Sequence, residues 1–218
     1  TNGYFQASIQ EPVTVYANDF DNNQRWDAFL SIWKLDTLNG KRKEFPAGYR
    51  DQLAEEIPSI KKMFNDYTSF AKADVNTLMT NFNRTSEIKI SATQFQSVWI
   101  ENKGNNEFVI HPLPIEAQWS PVHCIIANDF NGDGSIDILL SGNEFNVHPF
   151  AGRIDAGNGL VLKGDGKGNF TSLSILESGI YIPGNGRGMA QFAYNNTFAV
   201  AAVQNNGRLL LFEKKKPR

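Results

Sequence analysis

Nine residues, Asp129 to Asp137, read DFNGDGSID and place oxygen-bearing side chains at alternate positions. With Asp129 as position one, Asn131, Asp133 and Asp137 stand at three, five and nine, and the Ser135 carbonyl falls at seven. A hard cation such as Ca²⁺ takes about six to eight oxygens at roughly 2.3–2.6 Å, and a tightly curled loop delivers them from alternate positions. Gly134, at six, permits the sharp turn that wraps such a loop round an ion. Position twelve is Leu140, where an EF-hand carries glutamate, and β-type runs flank the loop, so this is a loop between strands and no EF-hand. The metal-free alternative is an Asx-rich turn. Three carboxylates in nine residues repel one another unless a cation sits among them, which favours calcium.

A second nonamer, DFDNNQRWD, repeats the spacing with Asp19, Asp21, Asn23 and Asp27, and with the Arg25 carbonyl at seven. Gln24 replaces glycine at six, where a left-handed backbone costs roughly 1–2 kcal/mol. The Arg25 guanidinium also offers a way to neutralise the acids without metal.

Other chemistry is thinly signalled. His111, His123 and His148 lack metal-site spacing, and Cys124, the single cysteine, lies in an apolar run that suits a buried inert thiol. GNGRGMA (184–190) lacks the strand-to-helix setting of a phosphate loop. Trp26, Trp33, Trp99 and Trp119 are candidates for a sugar-stacking platform, against the commoner role of packing. Arg153 and Asp155, in the glycine-rich stretch GRIDAGNG, are a candidate exposed binding site, against a structural ion pair pinning that loop.

The elements that must position these residues read as strands. Runs rich in β-branched and aromatic residues, bounded by Gly, Asn and Asp, recur from Val13–Ala17 through Arg208–Glu213, including a run Phe170–Ile175. Between Tyr49 and about Phe82 the period becomes helical: Leu53, Ile57, Ile60, Met63 and Phe64 share a face, and Thr68 or Ser69, then Asp74, are the expected N-caps. Residues 45–85 are therefore expected to be a helical insertion within the first repeat. IENKGNNEF (from Ile100) matches LKGDGKGNF (from Leu162), with Gly104 and Gly166 at hairpin tips, and YANDFDNNQRWDAFL (from Tyr16) matches IANDFNGDGSIDILL (from Ile126). With GMAQFAYNNTFAVAAVQNNGRLLLF as a third copy, about three repeats of four-stranded size are expected.

Composition narrows the class. The 218 residues carry 21 basic against 23 acidic side chains, a net charge of -2, with no electrostatic footprint for nucleic acid. No apolar run approaches the roughly 18 residues of a membrane span, and TNGYFQASIQ has neither the basic start nor the apolar stretch of a signal peptide.

The acidic nonamers, with hairpins of the form N-x-G-x-x-x-F, resemble the VCBS/FG-GAP repeats of β-propeller proteins; integrin α-subunit propellers carry similar loops. AGYRDQLAEEIPSIKKMF, EAQWSPVHCIIANDFNGDG and AGRIDAGNGLVLKGDGKGNFT are most similar to large bacterial VCBS-repeat proteins related to the ASPIC/UnbV group. The resemblance implies an all-β chain of propeller blades in an extracytoplasmic protein, secreted, periplasmic or attached to the cell surface. Three repeats fall below the roughly four to eight blades of a closed propeller, so the expected companions are further blades of a longer chain or a second copy. The expected function is a calcium-binding module that engages a protein or glycan at the cell surface. Its rivals are a polysaccharide-acting enzyme domain that uses calcium structurally and a plain structural spacer.

Overall fold

The computed structural model describes residues 5–82, 87–147 and 152–214; His148 and residues 215–218 of the basic tail lie outside them. Those residues form four antiparallel sheets with a few short helices. The chain divides into two compact units, Tyr4–Phe95 and Gln96–Arg218. No helix among the described residues is long and apolar enough to cross a membrane.

In the N-terminal unit, β1 (Val13–Asn18), β2 (Asp27–Asp36) and β3 (Lys41–Pro46) form consecutive hairpins, and β4 (Ile88–Ala92) returns beside β1. The resulting order, β3-β2-β1-β4, is that of a Greek key. The helical period between Tyr49 and Phe82 corresponds to α1 (Arg50–Glu56), α2 (Ser59–Met63), α3 (Tyr67–Lys72) and α4 (Val75–Met79). Their shared apolar face, with Ile57 and Ile60 fully buried, packs on Tyr16, Phe20 and Phe29 of the sheet side. The register sets Tyr16 opposite Phe29 and Asn18 opposite Asp27. Because side chains alternate along a strand, Asp27 points to the same buried face as Phe29.

Two expectations here need correction. The cap of α3 is Asp66, whose carboxylate accepts from the Ser69 amide at 2.7 Å, while Thr68 and Ser69 already lie inside the helix; Asp74 caps α4 as expected, accepting from the Thr77 amide at 2.8 Å. The strand β3 escaped the sequence reading because KRKEFP is charged, a composition suited to a sheet edge.

In the C-terminal unit, β5 (Val98–Gly104) and β6 (Glu107–Pro112) form a hairpin, turning through Asn105 and Asn106 with φ of 51° and 63°. Two successive positive φ values are what a type I′ turn requires. A short 3-10 turn, Ile115–Gln118, leads into the meander β7 (Val122–Asn128), β8 (Asp137–Gly142), β9 (Leu160–Gly164) and β10 (Phe170–Leu173). The central strands of this sheet, β8 and β9, are covered on both faces. Leu140 and Leu162 cluster with Leu113 and Trp99, while Leu139 and Val161 cluster with Val200, Met189 and Phe198. The latter residues belong to β11 (Gly186–Tyr194) and β12 (Thr197–Gln204), which with β13 (Leu210–Glu213) make a three-stranded sheet. Burial on two faces explains why ILL runs unbroken through β8.

The strand read through Ile175 stops earlier. Ser174 and Glu177 form a capping box that starts α5 (Ile175–Ser178), a Ser-x-x-Glu signal present in the sequence. Of the expected three or so four-stranded repeats, two four-stranded sheets stand among the described residues, β7–β10 as a plain meander and β1–β4 with β4 beside β1, while β11–β13 has three strands. Hairpins β1–β2 and β5–β6 lie in different sheets, and β3, one short turn beyond β2, takes the place beside β2. A short closure costs less entropy than one across the helical segment.

Asn143, fully buried with φ of 87°, ties the C-terminal unit together. Its Nδ2 donates to the carbonyls of Gly157 at 2.7 Å and Gly184 at 2.9 Å, and its Oδ1 accepts from the Gly157 amide at 2.9 Å and the Ser120 hydroxyl.

Candidate metal centre

Each acidic loop joins the first two strands of its four-stranded sheet: 19–27 between β1 and β2, and 129–137 between β7 and β8. They share one hydrogen-bond pattern, position by position. The Gln24 amide donates to Asp19 Oδ2, and the Gly134 amide to Asp129 Oδ2, each at 2.9 Å. The Asn23 amide reaches Asp19 Oδ1 at 2.8 Å and Asp21 Oδ1 at 3.2 Å; the Asp133 amide reaches Asp129 Oδ1 at 3.1 Å and Asn131 Oδ1 at 2.7 Å. Arg25 and Ser135 donate their amides to the side chains of Asn23 and Asp133 at 2.8 and 2.9 Å. The last aspartate closes each ring: Phe20 donates to Asp27 at 3.0 Å and Phe130 to Asp137 at 3.1 Å. Backbone conformations agree as well. Positions four and six are left-handed in both loops, at Asn22 (61°) and Gln24 (68°), and at Gly132 (88°) and Gly134 (87°).

The charges differ. In the first loop one carboxylate oxygen each from Asp19, Asp21 and Asp27 lie within 4.8 Å of one another. That spacing is close enough for the three acids to share one metal ion, and it singles out no particular metal. Asp27 is 3% exposed, and burial raises its pKa above the ordinary value, reinforced by the charges of Asp21, Asp19 and Glu56 against the opposing Phe20 amide. Burial foremost, and then the neighbouring acids, thus disfavour the ionised form of Asp27.

The second loop is better neutralised. The Lys163 ammonium of β9 lies 3.3 Å from Asp133 Oδ2, and Asn131 Nδ2 donates to the same oxygen at 2.9 Å. Backbone amides, that of Gly134 first, hold Asp129 below the ordinary carboxylate range, and the Ser135 amide does so for Asp133. Asp137 is buried with both oxygens engaged, the second accepting from the Gly164 amide at 3.0 Å. The glycine-bearing loop thus has the easier backbone and a lysine partner, and the glutamine-bearing loop has the cluster of three acids.

Other candidate residues separate. The Arg153 guanidinium lies 5.1 Å from the Phe145 ring centroid, and no ion pair among those described joins it to the exposed Asp155. Trp99 packs inward, stacked on His111 at 4.2 Å and edge-on to Phe170, and the Trp33 side chain has its Nε1 buried. Trp26 and Trp119 are exposed by 59% and 55%, so the four do not form one platform. His111 and His123 pair with Glu101 at 3.1 Å and Glu144 at 3.6 Å. Burial pushes the Cys124 thiol above its ordinary range, consistent with an unreactive group. Sequence reasoning missed Lys163, which pairs with the second loop, and Glu56, the least of the influences on Asp27; both lie far from their loops in sequence, and no local signal marks them.

No family model, no curated protein and no solved structure matches the chain.

Proposed function

We propose that the chain is a calcium-stabilised binding module built of VCBS/FG-GAP-type propeller blades, working in an extracytoplasmic setting and contacting a protein or glycan. The observation that supports this reading above others is the congruence of the two acidic loops. Two nonamers of different sequence adopt one conformation, including a left-handed glutamine where the companion has glycine. Bearing that cost is understandable if the geometry serves a ligand common to both loops. Asp19, Asp21 and Asp27 in the first loop, and Asp129, Asn131, Asp133 and Asp137 in the second, would hold the ion. The Asn23 side chain and the Arg25 and Ser135 carbonyls are the remaining candidate donors. Bound calcium would offset the repulsion among the acids and stiffen the link between the first two strands of each sheet.

Thermal melts with calcium, magnesium or chelator test this. Sites of the extracellular class bind at about 10⁻⁴–10⁻³ M. At about ten times Kd the gain is roughly 1.4 kcal/mol, or about 3–6 °C for a chain of this size. A calcium-specific rise that Asp19→Asn diminishes supports the reading. No rise, together with no calcium by elemental analysis, leaves both loops as Asx turns.

A further inference from the structure

The C-terminal unit contains a cavity of about 420 Å³ that none of the calcium residues lines. That volume falls in the roughly 300–1,000 Å³ range of small-molecule sites. Its floor is apolar, formed by Val122, Leu140 and Leu160, three residues of the core between hairpin β5–β6 and the central sheet. Its lining also carries oxygen-bearing side chains, among them Glu116, Asn158, Ser172, Ser174 and Glu177. Trp119, 55% exposed, stands at the edge. Among the described residues no lysine, arginine or histidine lines it.

The walls are held independently of any ligand. Gln118 fixes the turn that carries Glu116 and Trp119, accepting from the Ser97 amide at 2.7 Å and donating to the Ser97 and Leu113 carbonyls at 2.9 and 3.0 Å. Asn143 pins Ser120 on one wall and Gly157 on another. The capping box fixes Ser174 against Glu177, and the Asn158 carbonyl accepts from the Ile182 amide at 2.7 Å, which leaves the Asn158 side chain on the exposed rim. A site set in advance loses less entropy on binding.

Each property excludes a class of ligand. Two glutamates with no cation repel phosphates, nucleotides and acidic sugars. The side-chain oxygens of Glu116, Asn158 and Ser172, stripped of water by a purely apolar guest, would be left unpaired, which disfavours lipid tails. What fits is a neutral ring with an apolar face for an indole and a belt of hydroxyls for carboxylate, amide and hydroxyl partners. We infer that this cavity binds a neutral saccharide, with Trp119 stacking on one sugar ring and the rim oxygens accepting from its hydroxyls. The inference rests on the binding-module reading and names the glycan arm of it.

The test probes the full chain, in calcium, on an array of neutral hexose oligosaccharides of both anomeric linkages, with glucuronate-containing oligosaccharides and an N-acetyl-lysine amide surface beside them. Binding to neutral members alone, weakened by about tenfold or more in Trp119→Ala and again in Glu116→Gln, is the expected result. Melting curves of both variants establish that they fold and keep the wild-type response to calcium. No neutral binder, undiminished binding by Trp119→Ala, or equal binding of the acidic sugars or the lysine surface each overturns the inference. A calcium response without saccharide binding defeats this inference alone; saccharide binding without a calcium response defeats the metal reading alone.

Discussion

Gln24 and Gly134 occupy the same place in two loops whose first aspartates lie 110 residues apart, each left-handed and each donating its amide to that first aspartate at 2.9 Å. A Cβ built on Gly134 meets nothing within 4 Å, so a side chain there changes backbone strain without a clash. Gln24→Gly should therefore stabilise the N-terminal unit by about 0.5–1 kcal/mol, the relief of a left-handed side chain less the entropy of a glycine. Gly134→Ala should cost about 1 kcal/mol. Urea unfolding in chelator measures both, and the same sign for the two changes would contradict a shared conformation.

Lys163 supplies the second loop with a cation of its own, 3.3 Å from Asp133. Calcium at that loop must compete with this ammonium. Lys163→Met should tighten calcium binding at the second loop by about three- to tenfold and leave the first loop unchanged. Calorimetric titration of the variant alongside one carrying Asp19→Asn separates the two sites. Unaltered affinity at the second loop would mean that the ammonium swings clear of the ion.

The raised pKa of Asp27 gives a pH dependence of defined sign. A carboxyl whose folded value lies above its unfolded one binds its proton more readily when folded, so its contribution to stability falls as pH rises from about 3.8 through the raised value. Asp129 and Asp133 are depressed and work oppositely: their stabilisation is present above 3.8 and is lost as pH falls through the lowered values. In chelator, Asp27→Asn should remove the loss seen on raising the pH and leave the protein at least as stable as wild type at neutrality. In calcium the order should reverse, because the wild type alone keeps the full carboxylate triad. Melting temperatures of both proteins, with and without calcium across acid to neutral pH, decide it; an order that stays the same in both conditions would remove Asp27 from the metal site.

The sequence by itself determined what is local. The oxygens of each acidic loop, its left-handed sixth position and its flanking strands all lie within a few residues, so spacing alone was enough to read them. The buried helical face of Leu53, Ile57 and Ile60 and the Asp74 cap were legible for the same reason, since both depend on separations of three or four residues. Tertiary structure decided the partnerships. It placed charged β3 beside β2, so that the first acidic hairpin and the first glycine hairpin entered different sheets. It brought Glu56 of α1 toward Asp27 and Lys163 of β9 onto Asp133, which turned two loops of one shape into sites of unequal charge. It also gathered Trp119, Asn158 and Glu177 from three separate segments round one cavity. Electrostatic balance and concavity are set by residues that are distant along the chain and near in space, and the order of residues along a chain does not carry that information on its face.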